Sequence, residues 1–360
     1  MTMKISIGLF LLAAMGLTSC SNQQTTPVDN SLTMDTKLEA KKLNDFLAKY
    51  EEPSQLFKVS SSKPTQLKGK QGTTISINPN DLATESEEPL GENIQIELKE
   101  LTNQTQLLKT NSQTVSGGQL LVSGGAYYIN MTSDRKQLKL KEGKTLSVEF
   151  PKLTDNEMSL FYGQRDSLGG MDWNQATETF KVKTSQPEQQ QTVTKTTTKK
   201  KSEMEALFDY IESDSSSTPM TKEEKEKMER VNTVYEKVYS AVNISSFGWI
   251  NCDRFLEIQS RTDLLVNFNP SDSISSANIY LVFKDINSVM QSYYFSYNGK
   301  TNNEGFKNIP VGYKVRLVAY SIKDEKVLSY ASDITVKDKQ TLTLAMKETS
   351  DIELKNLLNN

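Results

Sequence analysis

The chain has 360 residues, with 42 Lys and Arg against 45 Asp and Glu and a formal net charge of −3. That length suggests two domains at ~100–200 residues each, and the near-balanced charge offers no basic face for nucleic acid. No His occurs anywhere, which excludes Ser-His-Asp and Cys-His nucleophile systems and His-ligated zinc or haem. An enzyme built on this chain would have to use carboxylates, Lys or Tyr.

At the N-terminus Lys4 precedes an apolar run from Ile5 to Gly16, and Leu17-Thr18-Ser19 leads to Cys20. These are the charged, apolar and small-residue parts of a secretory signal. The run is too short for a bilayer, which takes roughly 20 apolar residues, and no second long run follows. Leu17-Thr18-Ser19-Cys20 resembles the lipobox of bacterial lipoproteins. The resemblance implies removal of residues 1–19, a lipid on Cys20, and a mature protein anchored by that lipid in the envelope, at the outer membrane. No acidic cluster follows Cys20, so the facing side stays open. With Cys20 lipidated, Cys252 has no intrachain partner and is expected to be buried as a small apolar group.

Residues 20–34 are polar and read as a disordered tether. Residues 35–51 read as a helix, with Asp35 as N-cap and Pro53 beyond its end. Leu38, Leu43, Phe46, Leu47 and Tyr50 share one face, expected to pack on the first β domain or, alternatively, to recognise a partner.

Residues 55–180 change to short alternating strands, including Thr73 to Ile77, Ile94 to Leu98 and Thr145 to Phe150. Gly69, Gly72, Asn78-Pro79-Asn80, Gly117-Gly118, Gly124-Gly125 and Glu142-Gly143-Lys144 punctuate them. This is the pattern of a β-sandwich. The Gly pairs suit positive φ or close backbone approach rather than a phosphate cradle, because strand-like Gln119-Leu120-Leu121-Val122 follows instead of a helix. Gly69 to Pro79, Ser116 to Leu121 with Ser123-Gly124-Gly125, Leu138 to Pro151 and Leu160 to Gly163 resemble a module of uncharacterised bacterial lipoproteins. The layout is also similar to ZU5-type β modules, which implies an interaction domain without catalytic residues.

Residues 181–202, rich in Gln, Thr and Lys, read as a low-complexity linker. Residues 203–240 read as helical: Thr221 to Glu224 has capping-box form, and Met228, Val231, Val234, Tyr235 and Val238 make one apolar face. Residues 241–350 read as a second β-sandwich and 351–360 as a C-terminal tail with helical patterning. In the second β region the run through Phe306, Ile309-Pro310-Val311-Gly312 and a Val-rich strand resembles the carboxypeptidase-regulatory or transthyretin-like sandwich, which implies a binding or spacing role.

Within Phe247 to Phe255, Trp249, Asp253 and Arg254 are candidates for a partner or ligand surface; the competing reading is a corner, with Asn251 and Asp253 bonding local backbone as turn formers. Tyr280, Tyr293, Tyr294, Tyr297, Tyr313 and Tyr320 could form a glycan platform or pack in the sandwich. The expectation is therefore a mainly β protein: two β-sandwich domains joined by a low-complexity linker and a helical segment, after a lipoprotein signal peptide. It is expected to be a lipid-anchored, non-catalytic binding or structural module, with membrane contact through Cys20 and another envelope protein or a glycan as partner. No catalytic, cofactor or metal residue is assigned. The alternative is a carboxylate-dependent glycan-processing enzyme, with Asp253, Glu257 and Asp285 as candidates.

Overall fold

The computed structural model describes residues 30–154, 156–180, 238–297, 300–303 and 305–359. The signal and Cys20, the linker at 181–202 and the helical stretch through Tyr235 lie outside them.

The chain opens with α1 (Asn30–Leu47) and a 3₁₀ turn at Ala48–Tyr50. There follow β1 (Gln55–Ser60), β2 (Thr65–Lys68), β3 (Thr74–Ile77), β4 (Leu82–Thr84), β5 (Asn93–Leu101), α2 (Gln104–Lys109), β6 (Val115–Ser116), β7 (Gln119–Ser133) and β8 (Lys136–Leu140). Next come β9 (Leu146–Pro151), β10 (Ser159–Arg165), β11 (Met171–Gln175), β12 (Val238–Ile244) and β13 (Gly248–Phe255). The second half holds β14 (Arg261–Phe268), β15 (Ser276–Phe283), β16 (Val289–Tyr297), β17 (Lys300–Asn303), β18 (Phe306–Pro310), β19 (Lys314–Lys323), β20 (Lys326–Thr335), β21 (Gln340–Leu344), β22 (Lys347–Glu348) and α3 (Asp351–Asn359). The protein is mainly β and sandwich-like.

In the first sandwich one sheet runs β1-β5-β7-β13-β10-β11 and faces a second, β12-β9-β3-β2. Alternation makes the core: Ile94, Ile96, Leu98, Tyr127, Ile129, Leu160, Ile250 and Cys252 from one sheet meet Ile75, Ile77, Val148, Phe150, Val242 and Ile244 from the other. Gly117 and Gly118 sit between β6 and β7 with φ of 52° and 77°, the positive pair that a tight two-residue hairpin requires. At Gly124 and Gly125 the register between β7 and β13 shifts, Asn251 opposing Ala126 but Asp253 opposing Ser123. Gly125 has φ 114°, and a Cβ on Gly124 would lie 2.7 Å from the Cys252 carbonyl oxygen, so the bulge needs both glycines.

In the second sandwich the sheet β17-β16-β15-β19-β20-β22 covers β18-β14-β21, where β14 and β21 run parallel. Ile279, Leu281, Phe283, Val315 and Leu317 pack on Leu264, Val266, Phe306 and Ile309. Val115, Leu120 and Val122 of the β6–β7 hairpin join this core from the first sandwich.

A third core lies between the sandwiches. Leu43 and Leu47 of α1, Leu107 and Leu108 of α2, and Leu354 and Leu358 of α3 pack with Leu121, Phe161, Met171 and Trp173 of the first sandwich. From the second come the outward-facing Tyr280, Val289, Val318 and Tyr320.

Several expected boundaries move. α1 begins at Asn30, inside the stretch read as tether, since no Gly or Pro interrupts the chain between Val28 and Glu52. α1 packs at the junction, contacting β15 and β16 of the second sandwich, rather than on the first alone. Val238 to Ser240 belong to strand β12, not to a helix: Val238 pairs with Pro151 and Tyr239 with Phe150, and β-branched and aromatic residues favour that pleated setting. β12 and β13 complete the two sheets of the first sandwich, so the second sandwich starts at β14 and not at residue 241. Both ends of the stretch 181–237 therefore lie on the first sandwich, making it an insertion within that unit and not a link between units. α2 fell where only strands and loops were expected.

Candidate functional site

The three residues singled out on β13 diverge. Strand neighbours point to opposite faces, and the bulge adds a further offset. Trp249 is half-buried on the third core; its indole lies 5.1 Å from the Arg165 guanidinium and 5.2 Å from the Tyr128 ring. Asp253 is fully buried. Arg254 is half-buried, and its Nε finds no hydrogen-bond partner. No turn forms here: Asn251 and Asp253 are both sealed within the sheet, where the Asn251 side-chain amide donates to Asp253 Oδ2 at 2.5 Å and the Ser123 hydroxyl donates to Asn251 Oδ1 at 3.2 Å. Burial pushes the Asp253 carboxyl well above the usual carboxylate range, against the pull of hydrogen bonds from Ser123, Asn251 and the Gly124 backbone. Cys252 is buried and free, and burial, then the Asp253 charge, pushes its thiol well up. Such a thiol is inert. Of the other candidate carboxylates, Glu257 and Asp285 lie exposed beyond β13 and β15, apart from the sealed Asp253.

Of the two readings of the strand tyrosines, packing holds for Tyr280, Tyr293 and Tyr320, which are spent inside. Asn111, in left-handed conformation (φ 51°) just past α2, accepts the Tyr280 hydroxyl at 2.9 Å and donates to the Gly169 carbonyl at 3.1 Å. Asn278 donates to the Tyr320 hydroxyl at 2.8 Å, which donates to the Leu43 carbonyl at 2.9 Å. Tyr293 donates to the Leu168 carbonyl at 2.7 Å. Burial raises the pKa of Tyr280, Tyr293 and Tyr320, so each stays a neutral donor. Arg165 donates to the carbonyls of Thr110 at 2.7 Å and Asn111 at 2.9 Å, closing the C-terminal end of α2. The network joins α1, α2, the β10–β11 turn and the second sandwich.

A cleft opens beside this network. A polar pocket of about 310 Å³ is lined by Gln113, Asp166, Leu168, Tyr293 and Asn302 among others. Through Phe295 and Asn302 it continues into a trough of about 630 Å³ whose walls include Asp35, Leu38 and Glu39 of α1 and Tyr297 and Lys300 of the second sandwich. Leu38 is 58% and Tyr297 50% exposed. A separate pocket of about 320 Å³ lies between β5 and α2. Its buried Glu100 is engaged: its carboxylate accepts from Thr73 N at 3.0 Å, Gln71 N at 2.9 Å and Gln55 Nε2 at 2.7 Å.

Among the described residues no group of three or more Cys, Asp or Glu is placed to hold a metal ion, and no helix is long and apolar enough to cross a membrane. Compared with family models, with curated proteins and with solved structures, the chain matches none. Leu38 and Tyr297 had sequence signals as apolar residues on a helix face and a strand; nothing in the sequence signalled that the fold would bring them to one trough.

Proposed function

We propose that the protein is a lipid-anchored, non-catalytic binding module of the bacterial cell envelope, using the trough between α1 and the β16–β17 edge to hold another envelope protein. The observation that carries this reading is the pair Leu38 and Tyr297, both large, apolar and at least half exposed, facing one trough whose walls come from two separate elements. Isolated exposed apolar residues are ordinary, but a shared concave site rimmed by Asp35, Glu39 and Lys300 has the mixed character of a protein interface. Packed cores and the tyrosine–asparagine network hold both walls, so binding needs little reordering. The lipobox-like Leu17-Thr18-Ser19-Cys20 supports the anchor, and the resemblances to ZU5-type and transthyretin-like modules support a binding role. α1 starts ten residues after Cys20 (30 against 20), a reach of at most ~36 Å. That keeps the trough near the membrane surface.

The test is chemical crosslinking in intact envelope membranes, with capture of the tagged protein and mass spectrometry of what it holds. A protein crosslinked to trough residues in the wild type, and lost in Leu38→Asp combined with Tyr297→Ser, is the expected result. An unchanged partner set in that variant would remove the trough as the site. Cys20→Ser should release the protein from membranes; retention would remove the lipid anchor.

A further inference from the structure

Three sealed polar side chains lie together between β7 and β13. Ser123, Asn251 and Asp253 are all buried, the last two completely. The Ser123 hydroxyl donates to Asn251 Oδ1 at 3.2 Å, and the Gly125 N–H donates to the Ser123 hydroxyl oxygen at 3.0 Å. Asn251 Nδ2 lies 2.5 Å from Asp253 Oδ2. The other carboxyl oxygen, Oδ1, is buried and has no hydrogen-bond partner. A nucleophile, an amide and an acid are thus held in mutual contact on neighbouring strands, without bulk water.

We propose that this is a self-modifying site, at which Ser123 and Asn251 become joined by an intramolecular ester. Ser123 Oγ attacks the Asn251 side-chain carbonyl carbon, forming a C–O bond; the C–N bond breaks and the nitrogen leaves as ammonia. Asp253 acts in its acid form: Oδ2, 2.5 Å from the amide nitrogen, passes a proton to the departing nitrogen, and Oδ1, which has no other partner, takes the serine proton in its place. The acid is regenerated, hydroxyl plus amide becomes ester plus ammonia, and no oxidant, reductant or further reactant is needed. Two features favour the step. Fixing reactants in contact removes the entropic cost of a bimolecular encounter, worth up to ~7–11 kcal/mol in well-oriented cases. A positioned acid that relays one proton supplies general acid–base catalysis without His. The same burial protects the ester from hydrolysis. Placement gives the bond a purpose: it would staple the strand that returns after the stretch 181–237 to the middle of the sheet that strand completes.

The experiment is peptide mapping of the purified wild-type protein. Trypsin cuts after Lys109, Arg135, Lys237 and Arg254, placing Ser123 in peptide 110–135 and Asn251 in peptide 238–254. The expected result is one joined species, lighter than the sum of the two peptides by one ammonia, which hydroxylamine separates. Recovery of both peptides unjoined at their sequence masses would overturn the proposal. So would peptide 238–254 alone lighter by ammonia, which is succinimide formation within one peptide. Ser123→Ala and Asp253→Asn, checked for folding by thermal unfolding, should each abolish the joined species; a link that persists in a folded Asp253→Asn protein would remove the acid from the mechanism. The wild-type measurement decides even if neither variant folds.

Discussion

The Tyr320 hydroxyl on β19 donates to the Leu43 backbone carbonyl on α1 at 2.9 Å, with both residues buried. One phenol thereby fastens the N-terminal helix to the second sandwich. Its ring stacks with Tyr280 at 6.4 Å and its oxygen accepts from Asn278. Tyr320→Phe keeps the ring and deletes both bonds, leaving the Leu43 carbonyl without this donor. The expected cost is ~1–3 kcal/mol, read as a lower urea midpoint with unchanged slope.

The third core packs side chains of both sandwiches together, so the two should unfold as one cooperative unit. Leu354 of α3 is buried in it beside residues of both, and Leu354→Ala should cost ~2–5 kcal/mol. Trp173 and Trp249, the two tryptophans of the chain, both pack at this core. Their fluorescence should follow the same transition as far-UV circular dichroism in wild type and variant. A separate tryptophan transition would show that the first sandwich unfolds on its own.

Asp253 sets a specific pH dependence. Its native pKa is raised by burial, so the folded protein keeps a proton that the unfolded chain releases. The favourable contribution is therefore present below the unfolded carboxylate pKa, ~3.9, and is lost as pH rises towards the raised native value. Asp253→Asn has no proton to lose at this position. Relative to that variant, wild-type stability should fall by ~1.4 kcal/mol per pH unit across this window. Parallel denaturation curves at a series of pH values measure it; a constant difference would mean that Asp253 is ionised in the fold.

Cys252 should be unreactive in the native state, since its thiol is enclosed and burial disfavours the thiolate. Peptide mapping after treatment with iodoacetamide should find it unmodified in buffer and fully alkylated in guanidinium chloride. Native labelling at a rate comparable to a free thiol would show that β13 opens readily from the sheet.

Strand positions in the first sandwich were readable because one face of each strand is buried: Ile75 and Ile77, or Ile94, Ile96 and Leu98, alternate with polar neighbours. β13 is a strand and not a corner for a physical reason. Asn251 and Asp253 have turn-forming chemistry locally, but their side chains are satisfied largely by each other and by Ser123, which lies far away in sequence. α2 was invisible because its start, Thr102 to Gln106, is wholly polar; the Asn103 side chain caps it, accepting from Gln106 N at 3.0 Å. The second sandwich's boundary was misplaced because strand order is a property of long-range pairing, on which local alternation is silent. For the candidate site, composition showed tyrosines in strands but not which face each takes. Register turns Tyr280 and Tyr320 towards the third core and leaves Tyr297 outside.

The position of β13 also governs when the protein can fold. β13 lies between β7 and β10, pairing with both, yet it follows them in the chain by the whole stretch 181–237. A ribosome or translocation channel that has delivered residues only as far as Gln175 has delivered a first sandwich with a gap in the middle of its main sheet. Two strand edges then face each other without their shared partner, the kind of exposed pairing surface that invites wrong partners. Folding of the first sandwich must wait until Phe255 has emerged, by which point over two thirds of the chain has been made (255 of 360).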